Sequence, residues 1–301
     1  MFERAAIIGI GLIGGSLARG LREQSLATKI IGYDASTENL ARAHEIGVID
    51  ETASDLETVV AGADLIVIST PVGAAGDVLS QIGAAADKGA LIIDVGSVKR
   101  AFAEAANDIK NAFVVPCHPI AGTERSGPDA GFASLFHDRW CVLTPLDIPT
   151  PEYQEAVDKA AALWRALGSN VEIMDVAHHD LALAMTSHLP HLIAFTLVGA
   201  TDDLESVTEA EVIKYSAGGF RDFTRIAASD PVMWRDVFIH NKQAVLEVLG
   251  RFTEELALLQ RAIRWGDAET LEKTFARGRE LRQAIVEAGQ EKDVENFGRD
   301  T

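Results

Sequence analysis

The chain has 301 residues, 48% hydrophobic and 24% charged, enough to bury a sizeable core in one large or two ordinary domains. Its 27 basic against 45 acidic residues leave a formal charge of -18. That charge opposes binding to a polyanion such as nucleic acid, although a local arginine can still create a pocket for a small anion.

The first half alternates apolar runs with helical stretches. Residues 4–10 form a β-rich run that closes on glycines and leads into a helix to about residue 23. Further strands are predicted over 28–33, 64–69, 90–95 and 113–116, ending at Asp34, Thr70-Pro71, Gly96-Ser97 and Cys117-His118. Residues 140–144 and 171–174 read as additional strands, and 97–109 and 152–167 as helices. Continuous apolar runs of this kind are what buried parallel strands need, so residues 1–175 are expected to form a Rossmann-type doubly wound α/β domain. Beyond 175 the strand signals stop. Helical periodicity covers 176–200, 232–264 and 267–290, predicting an all-helical domain over 176–301. The apolar run over residues 5–17 mimics a signal peptide, but Glu3 and the glycine spacing assign it to a strand and turn. No stretch reads as long and apolar enough to span a membrane. With only Cys117 and Cys141, no disulfide framework is expected, and a reducing, cytoplasmic setting follows.

The glycine motif Gly9-Ile10-Gly11-Leu12-Ile13-Gly14 sits between a predicted strand and a predicted helix. Gly9 allows the tight turn, Gly11 lets the backbone approach a pyrophosphate, and Gly14 lets the helix pack closely. The helix start then offers N–H donors to phosphate. Asp34 follows 20 residues after Gly14, where a carboxylate accepts from ribose hydroxyls and repels a 2′-phosphate, favouring NAD. Ser69, Thr70, Ser97 and His118 all fall at predicted strand ends, the edge where such sheets bind ligands.

His118 lies between Cys117 and Pro119, and the proline restricts its backbone to extended geometry. A histidine there can take a proton as a substrate hydroxyl becomes a carbonyl. Gly122-Thr123-Glu124 makes a polar loop over the same edge. Cys117 reads as a small packed side chain, since nothing else suggests covalent catalysis. His178, His179, His188 and His191 fall within fourteen residues, but their spacing supplies no convincing third metal ligand. A substrate-facing polar patch fits better, with a buried, satisfied side chain the competing reading for His188. Arg225, in Gly218-Gly219-Phe220-Arg221-Asp222-Phe223-Thr224-Arg225, is either a carboxylate clamp or a surface ion-pair partner.

Taken together, these blocks resemble the prephenate dehydrogenase family, including its arogenate and cyclohexadienyl dehydrogenases of tyrosine biosynthesis. The resemblance is carried by the glycine motif, Asp94-Val95-Gly96-Ser97-Val98-Lys99, and His118-Pro119-Ile120-Ala121-Gly122-Thr123-Glu124-Arg125-Ser126-Gly127. Ser187-His188-Leu189-Pro190-His191, Gly219 through Ala227, and Asp230-Pro231-Val232-Met233-Trp234 extend it over nearly the whole chain. It implies NAD-dependent oxidative decarboxylation of prephenate or arogenate, giving 4-hydroxyphenylpyruvate or tyrosine. It also implies that His118 draws off the ring C4 hydroxyl proton, with Ser97 close by. Arg225 would hold the ring carboxylate, His191 would face substrate, and Thr123 and Glu124 would border the pocket. A homodimer built through the helical domain is implied too, with the active site between the domains. No segment precedes the glycine motif and none follows the helical region, so neither a fused chorismate mutase nor an ACT domain is expected.

Two rivals are open. A β-hydroxyacid-type dehydrogenase would use a lysine of the helical region, for which Lys214 and Lys242 are the candidates. A nicotinamide-binding regulatory protein would bind cofactor without turnover.

Overall fold

The computed structural model describes residues 1–123, 125–202, 214 and 217–287. Its centre is a six-stranded parallel sheet of β1 (Phe2–Ile8), β2 (Ala27–Tyr33), β3 (Glu51–Thr52), β4 (Leu65–Ile68), β5 (Leu91–Asp94) and β6 (Phe113–Val115). The strand order is β3-β2-β1-β4-β5-β6, the doubly wound order whose direction reverses between β1 and β4. β1 starts earlier than expected because Phe2 is buried and its amide donates to the Leu26 carbonyl. It stops at Ile8 because Gly9, at φ +91°, turns the chain.

Helices cover both faces of this sheet. They are α1 (Leu12–Glu23), α2 (Thr37–Glu45), α3 (Leu56–Val60), α4 (Val72–Gly83), α5 (Arg100–Ala106) and α6 (Pro151–Ala166). Successive strand side chains point to opposite faces, so Ala5 and Ile7 join one core layer and Ala6 and Ile8 the other. The first layer is closed by Leu17 and Leu21 of α1 and by Trp164 of α6. The second is closed by Val59, Leu79, Ile82 and Phe102 from α3, α4 and α5.

The expected later strands do not extend this sheet. β7 (Cys117–Pro119), β8 (Trp140–Leu143) and β9 (Asn170–Ile173) form a second, three-stranded sheet, with β7 antiparallel to β8 and β8 parallel to β9. Pro116 has no N–H to continue the ladder of β6. The chain changes sheets there, with the Cys117 amide donating to Asp94 Oδ1 at 3.0 Å and the Thr144 amide to the Pro116 carbonyl at 2.9 Å. His118 therefore sits inside a short strand of its own sheet, not beyond the end of a strand of the parallel one.

Among the described residues, regular structure after Asp175 is entirely helical. α7 (Val176–Leu183), a π-helical turn (Ala184–His188) and α8 (Leu189–Asp202) run consecutively. α9 (Gly218–Thr224), α10 (Pro231–His240), α11 (Lys242–Trp265) and α12 (Ala268–Glu287) follow. Residues 288–290 of the last predicted helix lie outside the described residues. Asp175 caps α7 by accepting from the His178 amide, and Asp230 caps α10 ahead of Pro231. The chain divides into two compact units, Met1–Val245 and Leu246–Thr301.

One helix overturns the expectation that no stretch is long and apolar enough to span a membrane. Val176–Thr201, 26 residues with mean hydropathy 1.5, is long and apolar enough to cross a bilayer by length and composition. It nevertheless buries His179, Asp180 and His188, whose hydrogen bonds reach other elements of its own unit.

Candidate active site

The turn between β1 and α1 is built from close backbone contacts. A Cβ at Gly14 would stand 2.1 Å from the Gly9 carbonyl oxygen and 2.3 Å from Ser69 Oγ, so only glycine fits. Ser69 donates its hydroxyl to the Gly9 carbonyl, tying the end of β4 to the end of β1 at the reversal of strand order. Gly11 faces open space, with no atom within 4 Å of a Cβ built there. Ser36, Asp55, Thr150, Asp175 and Asp230 cap their helices, whereas no side chain caps α1. Its first amides are thereby left for an anion. Leu12 and Ile13 anchor the turn by packing against the core. Asp34 accepts from the Ile10 amide at 2.7 Å and the Ser36 amide at 2.8 Å, keeping acceptor capacity for a ribose hydroxyl. Thr70 Oγ1 is buried without a hydrogen-bond partner in the protein, an orphan a bound ligand could satisfy. These residues fit a dinucleotide.

His118 is 7% exposed, and its Nδ1 lies 2.9 Å from His179 Nε2. His179 Nδ1 lies 2.8 Å from Asp180 Oδ1. Burial pushes the Asp180 carboxyl up, but the His179 ring and the Lys99 and Arg100 amides outweigh it and hold Asp180 below its ordinary value. An ionised carboxylate only accepts, so a singly protonated His179 carries its proton on Nδ1 and accepts through Nε2 from His118 Nδ1–H. His118 Nε2 is left with a lone pair. Burial, reinforced by the Lys99 ammonium and by the repulsion that protonating rings this close together would create, holds His118 well below the ordinary histidine value. The imidazole is neutral at neutral pH, the state a general base requires.

The half-buried Ser97 lies in the turn leading into α5, and Asp180 grips that turn through the amides of Lys99 and Arg100. Lys99 is fully buried, pairs with Asp94, and donates to the Cys117 carbonyl at 2.7 Å, beside His118. Cys117 is itself fully buried and its thiol is pushed up to about 12, mainly by burial, which removes it as a nucleophile.

His188 and His191 meet at Trp234. The His191 ring stacks on the indole with centroids 3.7 Å apart, and His188 meets it edge-on at 6.0 Å. Asn241 Nδ2 bridges the Asp180 carbonyl at 2.8 Å and His188 Nδ1 at 3.1 Å. His188 is fully buried and held down to about 4, chiefly by burial, so it is a packed neutral ring. His191 is half-buried and is lowered by burial, with the Arg225 charge adding to the effect. Arg225 is exposed and thus lies within electrostatic reach of His191. Gly218 and Gly219 open α9 without a positive φ. Thr123 is exposed and its Oγ1 accepts from the Arg125 amide within its own loop. Glu124 lies outside the described residues. Lys214 and Lys242 are both exposed, remote in character from a buried acid–base lysine. The sequence placed His179 in a substrate-facing polar patch, but its buried ring faces His118 and Asp180 instead, and Asp180 carried no expectation. Their adjacency at the start of an apolar helix is the only local signal, because His118 is 61 residues away.

Two family models match: residues 17–173 match the nucleotide-binding domain of prephenate dehydrogenase and residues 175–277 its dimerization domain. The chain belongs to the prephenate dehydrogenase family. A cyclohexadienyl dehydrogenase from Zymomonas mobilis is 40% identical over 286 residues, covering 95% of this chain and 97% of that protein. A prephenate dehydrogenase from Bacillus subtilis is 32% identical, over 95% of this chain and 76% of the relative. The prephenate dehydrogenase of Aquifex aeolicus, solved with hydroxyphenyl propionate and NAD+, superimposes with a TM-score of 0.86 at 32% identity, covering 95% and 99% of the two chains.

Proposed function

We propose that this protein catalyses the NAD-dependent oxidative decarboxylation of prephenate, arogenate or both, a step of tyrosine biosynthesis. The observation that carries the reading is the buried His118 ring joined through Nδ1 to His179 and, beyond it, Asp180, an arrangement that leaves Nε2 for substrate. Gly9, Gly11, Gly14, Asp34, Ser69 and Thr70 would hold NAD, with Leu12 and Ile13 supporting the turn. When bound, NAD takes up the hydride that leaves ring C4. His118 Nε2 draws off the C4 hydroxyl proton as that carbon is oxidised. It then returns the proton to the ring oxygen once the C1 carboxylate has left as carbon dioxide and the ring is aromatic. Ser97 orients the same hydroxyl. Arg225 holds a substrate carboxylate, and His191, fixed on Trp234, borders the ring with Thr123. Residues 1–175 act as the dinucleotide-binding part and 176–301 as the helical substrate and dimerisation part. A homodimer is supported by the dimerization-domain match and by Leu256, Ile263, Trp265, Phe275 and Leu281, which α11 and α12 expose. A cytoplasmic location accords with two free, buried cysteines.

The test is the formation of reduced cofactor by purified protein, with prephenate and arogenate each paired with NAD and NADP. Turnover with NAD and at least one substrate is expected. Cofactor binding without turnover in any pairing would sink the proposal and favour the regulatory rival.

A further inference from the structure

We infer that His179 and Asp180 are positioning residues that fix the tautomer of His118, and that the same Asp180 carboxylate locks the turn carrying Ser97. The inference rests on His118 being the base. It adds two residues that touch neither substrate nor cofactor in the reading above.

The geometry has three parts. First, the two rings are joined by a 2.9 Å contact between His118 Nδ1 and His179 Nε2, and they meet edge-on, 73° between planes, with 5.1 Å between centroids. One proton lies between the two nitrogens, and its owner decides which nitrogen of His118 is bare. Second, Asp180 supplies the bias. It accepts from His179 Nδ1 at 2.8 Å, and as an acceptor it forces that proton to stay on His179. With both rings neutral, the chain Asp180–His179–His118 has one consistent assignment, with His118 Nε2 unprotonated and available. Third, Asp180 does not float. Its Oδ1 takes the Lys99 amide at 2.9 Å and its Oδ2 the Arg100 amide at 3.0 Å, while Asn241 holds its carbonyl at 2.8 Å. One carboxylate from the helix α7 therefore caps α5 and sets the turn of Ser97, while it orients the base on β7.

When His118 Nε2 accepts the substrate proton, His118 becomes an imidazolium whose Nδ1–H still points at His179 Nε2. His179 in turn donates Nδ1–H to Asp180, so the positive charge faces a polarised ring backed by a carboxylate. No second proton transfer is needed. Both rings are buried, so water does not compete for these hydrogen bonds.

The decisive comparison is His179→Leu against His179→Gln, with His118→Gln as reference. Leucine fills space but cannot accept from His118 Nδ1–H, whereas a glutamine carbonyl can. His179→Leu should lower kcat roughly 10²- to 10⁴-fold, the range seen when a catalytic histidine loses its orienting partner or tautomer. KM and NAD binding should hold steady. His179→Gln should recover at least about tenfold of that loss, one hydrogen bond's worth. Equal loss in both variants, a loss confined to KM, or wild-type kcat in folded His179→Leu would overturn the inference. If neither variant folds, nitrogen-15 NMR of the wild-type imidazoles decides: a proton on His118 Nε2 at neutral pH would overturn it, and a proton on Nδ1 would support it. Should His118→Gln retain activity, the base assignment itself fails; should only His179→Leu retain it, this inference alone fails.

Discussion

The turn after β1 and the histidine chain around His118 are two ways of making a site. The turn is local: Gly9, Gly11 and Gly14 lie within one strand–helix junction, and its second layer, Asp34, is one helix away. The histidine chain is non-local, joining β7 to α7 across 61 residues and leaning on α5 through Asp180. In the turn, close backbone contacts exclude side chains and leave amides for a ligand. In the chain, side chains meet through hydrogen bonds and burial sets the state of His118. Local geometry can be specified by residue type alone, while a tautomer is specified only by neighbours the fold assembles.

The largest test of this contrast is His118→Gln. Removing a general base should lower kcat by roughly 10²- to 10⁴-fold with the melting temperature nearly unchanged. Retained turnover would place the base elsewhere. On the other side of the contrast, Gly14→Ala puts a Cβ 2.1 Å from a backbone oxygen. It should abolish detectable NAD binding in a fluorescence titration, through a displaced turn and not a lost side chain. Unaltered NAD affinity would show that the turn does not hold the cofactor.

Arg225→Ala should act through binding. Losing a charged hydrogen bond to a carboxylate costs about 1.5–3 kcal/mol, so KM should rise roughly 10- to 100-fold with a smaller change in kcat. An unchanged KM for both substrates would remove Arg225 from the pocket.

pH separates the two regions further. His118, His188 and His191 all have lowered values in the folded state. A lowered histidine stabilises the fold above its unfolded value, and that contribution is lost as pH falls through the folded value. For His188, lowered from 6.5 to about 4, the loss is about 3 kcal/mol across that window. The melting temperature should therefore decline from pH 6.5 towards pH 4, and less steeply in His188→Asn. A parallel decline in both proteins would discount His188. The acid limb of kcat/KM should lie below the ordinary histidine value, leaving activity flat across neutrality, because His118 is still unprotonated there. The smallest effect is expected from Arg42→Ala. Its pairs with Asp129 and Glu45 are exposed, so no measurable change in melting or turnover should follow.

Much of this protein was legible in its sequence. The continuous apolar runs of β1, β4 and β5 and the glycine spacing specified a doubly wound sheet, because buried strands and tight turns each demand particular residues. The helical character after Asp175 was equally plain from its periodicity. The change of sheets at Pro116 was not, since Cys117-His118 read as the end of the 113–116 strand, and the start of a new strand there depends on Asp94 accepting the Cys117 amide. Nor was the role of His179 and Asp180. A histidine beside an aspartate is common, and nothing in residues 176–183 says that His118 will arrive 2.9 Å away. Residue type determined which groups could bind a dinucleotide and which could carry a proton. Tertiary structure alone decided which nitrogen of His118 is free, because that choice belongs to a chain of hydrogen bonds between segments far apart in sequence.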